Sequence, residues 1–222
     1  MASVGAFFRY GARRALRNAL IVAVLPVAVW AGDPARVIAL GDSLTAGYGL
    51  PEADGLVPQL NRWLADHGAA AVVVNAGVSG DTTAGGRARL DWALGEGGEA
   101  LIVALGGNDI LRGLPPEEAR ANLDAILTEA DRRGLPVLLA GHQAPGNFGP
   151  DWQAGYDAIW PDLAAAHHAV LVPDLLGPIR TTPLAERGAL MQDDGIHPSA
   201  AGVGKVVEAL GSKVLELIGK MQ

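Results

Sequence analysis

The amino-acid sequence predicts an α/β fold in which helices cover both faces of a parallel sheet. Short apolar runs alternate with longer stretches of helical character from about residue 35 onward. Each run is apolar throughout, without alternating polar residues, which is typical of strands buried on both faces. Strand and helix follow each other four or five times within 222 residues, and this repetition favours one doubly wound domain with right-handed crossovers.

The apolar runs predict about five strands. They cover residues 37–40, 71–74, 101–105, 137–140 and 170–172. The 30 glycines and 14 prolines of the chain cluster where these runs end. In doubly wound sheets the binding and catalytic groups lie at the carboxyl ends of the strands, so we expect reactive side chains there.

Five segments between and after these runs are predicted to be helices. They cover about residues 57–66, 82–93, 116–133, 152–167 and 199–218. The third has the clearest end signals, because Pro116 and Glu117 stand where a helix begins. Its other end carries Arg133 and Gly134, a cation followed by the glycine that commonly terminates a helix.

The first 31 residues differ in charge from the rest of the chain. Four arginines and no acidic residue precede or border a 13-residue apolar run that ends at Ala31. This order is typical of a secretory signal peptide. An uncleaved N-terminal anchor is the alternative, although the run is shorter than the roughly 20 residues that a membrane span needs. The run is apolar on all sides, which argues against an amphipathic or core helix. We predict an export signal at residues 1–31, a folded domain at residues 33–222, and a periplasmic or secreted location, membrane-anchored if uncleaved.

Composition excludes several classes of protein. The chain has no cysteine, which removes disulfide scaffolds, cysteine nucleophiles and thiolate zinc sites. Its net charge is −7, and residues 32–222 alone carry 13 Lys and Arg against 24 Asp and Glu, so nucleic acid is not an expected partner. The glycines after the first strand have neither dinucleotide-binding nor P-loop spacing. We predict no metal and no cofactor, and the oligomeric state stays open.

Ser43 is the first candidate for chemistry, because Gly41-Asp42-Ser43-Leu44 follows the first strand directly. A serine on a sharp turn can expose its hydroxyl, although an Asp-Ser pair alone is more often a helix cap. The last loop adds Asp194, three residues before His197. There the carboxylate could accept a hydrogen bond from imidazole Nδ1–H, which would leave Nε2 to deprotonate a serine.

Two other strand ends offer hydrogen-bond donors for a developing oxyanion. Gly80 follows the second strand and Asn108 follows the third. A glycine lets a backbone N–H approach a substrate closely, and an asparagine amide can donate from its side chain. Each segment taken alone could also be a turn with a helix cap.

The four motifs, in this order along the chain, resemble the SGNH (GDSL) hydrolase family. The residues within the motifs are most similar to the periplasmic branch of the family that comprises thioesterase I, lysophospholipase and arylesterase. This resemblance spans residues 37 to about 202. It implies a flavodoxin-like, three-layer α/β/α fold and metal-free hydrolysis of acyl esters and thioesters. It also implies Ser43 as nucleophile, His197 as base and Asp194 as its orienting partner. The Ser43 and Gly80 N–H groups and the Asn108 side chain would form the oxyanion hole.

The substrate is less well determined by the sequence. Ile110, Leu111 and Phe148 could line an acyl-binding groove, although apolar residues are as often core. We expect a small acyl ester, a thioester or a lysophospholipid. A carbohydrate O-acetylesterase is the alternative, and a non-catalytic binding domain on the same scaffold is disfavoured by the complete motif set. His142, after the fourth strand, is the one rival to His197 for a catalytic imidazole.

Overall fold

The computed structural model describes residues 1–2, 33–95 and 97–221. The chain divides into two units, Met1–Ala31 and Gly32–Gln222, and the second unit contains the α/β fold. The predicted export signal lies outside the described residues except for its first two. Within the described part of the chain, no helix combines the length and the apolarity needed to cross a bilayer.

Five parallel strands form one sheet in the order β2-β1-β3-β4-β5, which confirms the predicted α/β fold. The strands are β1 (Ala35–Gly41), β2 (Ala71–Gly77), β3 (Ala100–Ala104), β4 (Val137–Ala140) and β5 (Val170–Val172). Gly41 at the end of β1 is paired with Gly77 on one side and with Ala104 on the other. The segments that follow these three strands therefore leave the sheet at one edge.

Helices cover both faces of the sheet. They are α1 (Ser43–Ala46), α2 (Leu56–Asp66), α3 (Thr83–Ala88), α4 (Leu90–Leu94), α5 (Gly107–Leu111), α6 (Pro116–Arg132), α7 (Pro150–Asp157), α8 (Ile159–Ala166), α9 (Gly177–Arg180), α10 (Leu184–Arg187) and α11 (Ala200–Gly219). One apolar cluster packs between the sheet and α4, α6 and α8, and the other between the sheet and α2, α9 and α11. Side chains of β1 alternate between the clusters, with Ile38 and Leu40 in the first and Val37 and Ala39 in the second. This alternation explains why the strands are apolar throughout.

Two helices predicted as continuous are each divided. Residues 152–167 become α7 and α8 because Pro161 lacks the N–H that would bond to the carbonyl of Asp157, four residues earlier. Residues 82–93 become α3 and α4, separated by Arg89, whose side chain bonds to groups at the ends of β1 and β2. Both divisions are local, and the layer order is unchanged.

His167 connects the end of α8 to α6 through two carboxylates. Its Nδ1 lies 2.6 Å from Asp131 and its Nε2 lies 3.0 Å from Asp124. Burial of the ring works against the charged form, but the hydrogen bonds to Asp131 and Asp124 outweigh it and raise the pKa of His167. Because the pKa is higher in the folded protein than in the unfolded chain, the charged imidazole stabilises the fold fully at a pH below the unfolded-state pKa of about 6.5. This stabilisation is lost as the pH rises through the pKa of the folded state.

Replacing His167 by glutamine should therefore destabilise the domain most at the acidic end of the range from pH 5.5 to 8.5. We expect a loss of about 0.5 to 1 kcal/mol near pH 6, the usual size for a solvent-accessible ion pair, and a smaller loss at pH 8.5. Urea unfolding of both proteins across the range measures this difference. His67→Gln is the matched control, because His67 stacks on Trp63 and has no carboxylate partner among the described residues. If the loss in free energy of unfolding caused by H167Q grew with pH, the charged His167 imidazole would not be the stabilising form.

Candidate active site

The turn after β1 presents Ser43 at the edge of the sheet. Asp42 caps α1, and its carboxylate accepts a hydrogen bond from the Leu44 N–H at 3.0 Å. Ser43 is thus the first residue of a single helical turn, which ends at Gly47 in the left-handed conformation, φ 80°. The Ser43 Oγ lies 2.9 Å from His197 Nε2, although the two residues are 154 positions apart in the chain. The sequence-predicted nucleophile and base are therefore in hydrogen-bond contact.

Asp194 holds the opposite side of the His197 ring. Its Oδ2 lies 2.6 Å from Nδ1, and its Oδ1 accepts from the backbone N–H groups of Ile196 at 2.9 Å and His197 at 3.0 Å. The hydrogen bonds from the His197 backbone and ring, followed by that from Ile196, lower the pKa of Asp194 to about 2. The carboxylate is consequently ionised at neutral pH and faces Nδ1 as an acceptor, as the Asp-x-x-His spacing predicted.

Gln192 connects the histidine loop to the serine loop. Its side-chain amide donates to the carbonyls of Tyr48 and Pro198, at 2.9 Å each, and its backbone N–H donates to the carbonyl of His197 at 2.8 Å. The Tyr48 ring covers the imidazole, with 4.6 Å between the ring centroids. These contacts limit the movement of His197 relative to Ser43.

Gly80 lies in a tight turn after β2. The turn is closed by a hydrogen bond from the Asp81 N–H to the Val78 carbonyl at 3.1 Å, and Gly80 has φ 86°, which a residue with a Cβ rarely adopts. Arg112 donates to the Gly80 carbonyl at 2.7 Å and holds the turn next to α5. Among the described residues, no acceptor is assigned to the Gly80 N–H.

Asn108 lies in α5, at the edge of the sheet where Ser43 also lies. The buried carboxylate of Asp109 fixes this helix to α3, because it accepts from both the N–H and the hydroxyl of Thr83, at 2.8 and 2.6 Å. The Asn108 amide nitrogen lies 3.4 Å from Asp42 Oδ2, which places it beside the nucleophile turn. The structure thus brings the catalytic motif residues and two candidate oxyanion donors to one edge.

A family model described as the GDSL-like lipase/acylhydrolase family matches residues 39–204. The chain belongs to this family. The match covers all four motifs and confirms the expectation of an SGNH (GDSL) hydrolase.

Individual relatives of this acylhydrolase are similar over most of their length. Esterase TesA of Pseudomonas aeruginosa strain PAO1 is 40% identical over 173 residues, 78% of this chain and 84% of that protein. Thioesterase 1/protease 1/lysophospholipase L1 of Escherichia coli strain K12 is 35% identical over 165 residues, 73% of this chain and 75% of that protein. The crystal structure of AlinE4, an SGNH-hydrolase family esterase, has a TM-score of 0.69 at 44% identity and covers 83% of this chain and 97% of that one.

Arg89 is a residue of the acylhydrolase site that the motifs did not indicate. Its guanidinium donates to the Gly41 carbonyl at 2.9 Å, to the Ala76 carbonyl at 2.7 Å and to the Asp81 carboxylate at 2.5 Å. One side chain therefore connects the ends of β1 and β2 to the turn that carries Gly80. The 17% exposure of both charged side chains shows that the pair is largely shielded from solvent.

Replacing Arg89 by lysine should destabilise the domain by about 1 to 3 kcal/mol, because one ammonium nitrogen cannot reach all three acceptors and at least one of them would be left without its donor. Urea unfolding midpoints of the two proteins measure the effect. Arg87→Lys is the matched control, since Arg87 is exposed and makes one hydrogen bond of 3.3 Å to Asn122. Equal midpoints for R89K and R87K would show that the three contacts do not stabilise this edge.

The three apolar residues predicted to line a groove have different environments. Ile110 is 6% exposed and belongs to the core, whereas Leu111 is 59% exposed and Phe148 is 46% exposed. Sequence reasoning did not single out Tyr48, although it is exposed and its ring covers His197. The depression that Ser43, Tyr48 and their neighbours line holds only about 10 Å³, and Ser43 itself is half-buried. A larger cleft of about 580 Å³, lined by Trp152 among others, includes none of the motif residues.

His197, and not His142, is the histidine that is hydrogen-bonded to Ser43. His142 is 8% exposed, and its ring meets the edge of Trp160 at a centroid distance of 6.0 Å. Its Nε2 is buried without a hydrogen-bond partner among the described residues. Within the same described part of the chain, no group of three or more His, Cys, Asp or Glu side chains is arranged to hold a metal ion.

Proposed function

We propose that this acylhydrolase cleaves acyl esters and thioesters through an acyl-enzyme on Ser43. The observation that supports this most directly is the continuous hydrogen-bonded chain from Asp194 through His197 to Ser43. A serine is a weak nucleophile at neutral pH and becomes effective when an adjacent neutral imidazole accepts its proton. The three residues have the contacts that this reaction requires.

The reaction proceeds in two half-reactions. Ser43 Oγ attacks the acyl carbonyl while its proton passes to His197 Nε2, and the carbonyl oxygen becomes an oxyanion. The carbonyl re-forms as the bond to the leaving group breaks, and His197 gives the proton to the departing alcohol or thiol. Water then attacks the acyl-serine as His197 takes its proton. The bond between the acyl carbon and Ser43 Oγ breaks, His197 returns the proton to Ser43, and the acid leaves. Asp194 stabilises the imidazolium in both halves without taking the proton.

Three donors stabilise the oxyanion in this proposal. They are the backbone N–H groups of Ser43 and Gly80 and the side-chain amide of Asn108. No acceptor within the described residues is assigned to either backbone N–H, so both can donate to a substrate. Such preorganised donors act where negative charge develops and account for a large part of the rate enhancement in acyl transfer.

The proposed substrates have an apolar acyl group and varied leaving groups. Leu111 and Phe148 are exposed on segments that follow β3 and β4, and Ile196 is 45% exposed next to His197. The depression at Ser43 is small, and we propose that the leaving group, an alcohol, a thiol or a glycerophospholipid moiety, extends outside it. The name of the E. coli relative includes thioesterase and lysophospholipase, and we propose both substrate classes for this chain.

A substrate series separates this proposal from its alternatives. The purified protein is assayed with p-nitrophenyl esters from C2 to C12, acyl-CoA, lysophosphatidylcholine and acetylated xylan. We expect turnover of medium-chain esters and of at least one thioester or lysophospholipid. Preference for C2 esters together with release of acetate from xylan would indicate a carbohydrate O-acetylesterase. If no substrate is turned over and a reactive phosphonate ester does not label Ser43, the protein is a non-catalytic binding domain and the proposed function is wrong.

We propose in addition that residues 1–31 direct export to the periplasm. The four arginines followed by a 13-residue apolar run support this proposal. The full chain is expressed in a Gram-negative host, the cells are fractionated, and the recovered protein is sequenced from its N-terminus. Recovery of soluble periplasmic protein that begins near Gly32 is the expected result. Recovery of the intact N-terminus in the cytoplasm would contradict export, and intact protein in the membrane fraction would indicate an anchor instead.

A further inference from the structure

The turn that carries Gly80 is exposed, and the mechanism above requires one of its backbone N–H groups to hold a fixed position. Residues 78–80 are all exposed. Gly80 has φ 86° and no Cβ to restrict it, so the turn itself offers little resistance to rotation about its backbone bonds. An oxyanion donor contributes fully to the rate only when it already points at the place where the charge develops. A contact from outside the turn is therefore needed to hold Gly80.

The peptide group between Gly80 and Asp81 is held at both ends. Its N–H, which belongs to Asp81, donates to the Val78 carbonyl at 3.1 Å within the turn. Its carbonyl, which belongs to Gly80, accepts from Arg112 Nη2 at 2.7 Å. Within the described part of the chain, this carbonyl is the one acceptor assigned to the Arg112 guanidinium. The peptide plane that follows the Gly80 N–H is thus fixed by one contact inside the turn and by one contact from Arg112.

Two other contacts hold the base of the turn and do not reach its tip. The Val78 N–H donates to the Gly41 carbonyl at 3.0 Å, and the Asp81 carboxylate accepts from Arg89 at 2.5 Å. At the tip, a Cβ on Gly80 would lie 3.8 Å from Arg112 Nη2 and within 4 Å of no other described atom beyond its chain neighbours. Arg112 is therefore the side chain that supports Gly80 itself.

The backbone of Arg112 is in turn held rigidly at the end of α5. Its N–H donates to the Asn108 carbonyl at 3.1 Å and closes the helix. Two residues further on, the carbonyl of Leu114 accepts from Trp152 Nε1 at 3.0 Å and from the Tyr156 hydroxyl at 3.1 Å. The Arg112 side chain consequently starts from a fixed point on the same short helix that presents Asn108.

We propose that Arg112 is a positioning residue for the oxyanion hole, which connects the helix of Asn108 to the turn of Gly80 and keeps the two donors at a fixed spacing. This proposal rests on the oxyanion roles of Gly80 and Asn108 given above. Arg112 acts through Gly80 and does not itself touch the substrate. Without Arg112, Asn108 stays in place, while the Gly80 N–H spends most of its time in orientations that miss the oxyanion. Because the donors are used when charge develops, the loss falls on kcat and leaves KM almost unchanged.

Two substitutions at Arg112 test this role by ester hydrolysis. Arg112→Met keeps a long apolar side chain and removes every N–H donor, whereas Arg112→Lys keeps one donor. We expect about tenfold lower kcat for R112M, with KM changed by less than about twofold, because a misaligned donor costs less than the roughly 100- to 1000-fold of a deleted one. R112K should recover kcat to within about threefold of the wild type, since one donor is enough for one carbonyl.

Arg62→Met is the matched control. Arg62 is an exposed arginine on α2 whose Nη2 donates to the backbone carbonyl of Ala53 at 2.8 Å. It makes the same kind of contact as Arg112, but to a turn that carries none of the proposed catalytic or oxyanion groups. R62M should therefore keep the kcat and the KM of the wild type.

The positive charge of Arg112 is the competing explanation for a lower kcat, and salt separates the two. Salt screens the field of an exposed charge, with a Debye length of about 10 Å at 0.1 M and about 3 Å at 1 M. If the hydrogen bond to Gly80 is what matters, the ratio of wild-type to R112M kcat should stay constant between about 0.05 and 1 M NaCl. A ratio that falls toward one at high salt would assign the effect to charge and overturn the positioning role.

The backbone amide of Gly80 provides a measurement that needs no catalysis. Its 15N order parameter should be about 0.85 in the wild type, the value of a rigid backbone, and should fall below about 0.6 in R112M. The order parameter should stay at the wild-type value in R62M. The backbone amide of Asn108 should remain rigid in all variants, because its helix is held by other contacts.

Two further outcomes would overturn the proposal. One is wild-type kcat in folded R112M, and the other is a Gly80 order parameter that is the same in the wild type and in R112M. If R112M does not fold, Arg112→Gln carries the same predictions, because its amide is too short to reach the Gly80 carbonyl. Absence of any ester turnover in the wild type would contradict the proposed function, whereas the order parameter would still test whether Arg112 holds Gly80.

Discussion

Replacement of Ser43 by alanine should lower kcat for ester hydrolysis by about 10⁵- to 10⁶-fold, because no acyl-enzyme can form without the nucleophilic oxygen. The residual rate should exceed that of the uncatalysed reaction, since the oxyanion donors and substrate contacts are unchanged. The fold should survive, because the Ser43 hydroxyl has one assigned contact, to His197 Nε2 at 2.9 Å. A p-nitrophenyl ester assay together with a thermal unfolding curve measures both effects.

Ser212→Ala is the matched control for this experiment. Ser212 is an exposed serine on α11 whose hydroxyl donates to the Ala209 carbonyl at 3.1 Å, so its loss should leave kcat unchanged. A reactive phosphonate ester should label the wild type and S212A once, on Ser43, and should not label S43A. Near-wild-type turnover by folded S43A would show that another group attacks the substrate.

The approximate positions of the strands in the chain and the place of the motifs could be predicted from local patterns, whereas the order of the strands within the sheet was not predicted. Continuous apolar runs identify strands that are covered on both faces, and parallel strands end at one edge, so Ser43 and Asn108 were expected to approach each other. The division at Pro161 could also have been predicted, since a proline inside a helical segment removes a hydrogen bond wherever it occurs.

Other features depend on contacts between segments that are distant in the chain. Arg89 is an ordinary basic residue of a predicted helix until the fold brings the carbonyls of Gly41 and Ala76 within reach of its guanidinium. His142 could be read as a rival base because its burial depends on how α8 packs against the sheet. The sequence around Arg89 or His142 does not predict the environment of either side chain, because each environment is formed by atoms from several segments of the chain.

The two aspartates next to the catalytic residues illustrate how environment separates their roles. Asp194 is largely accessible and accepts three hydrogen bonds from Ile196 and His197, which keep its pKa near 2. Asp42 is buried, and burial raises its pKa. Residue type alone would assign either one as the partner of the base. Of the two, only Asp194 lies within hydrogen-bond distance of the His197 ring, and its lowered pKa keeps it in the ionised form that an imidazolium needs.

Replacing Asp194 by asparagine should lower kcat by roughly 10⁴-fold while the loop keeps its conformation. The asparagine Oδ1 can still accept from the N–H groups of Ile196 and His197, now at 2.9 and 3.0 Å from Asp194. Its Nδ2 would donate to His197 Nδ1, and the imidazole would then carry its hydrogen on Nε2. That nitrogen would donate to Ser43 Oγ instead of accepting its proton, so the general base would be lost.

Asp193→Asn is the matched control for this change, because it removes the neighbouring exposed carboxylate and leaves the contacts of Asp194 intact. It should retain wild-type kcat, so a loss confined to D194N is not a general effect of reduced negative charge in the loop. The pH profile adds a second criterion. Since the pKa of Asp194 is about 2, its protonation should not limit wild-type turnover between pH 5 and 8. D194N turnover within tenfold of the wild type would mean that the Asp194 carboxylate does not set the tautomer of His197, and that the hydrogen bond at 2.6 Å serves only to hold the loop.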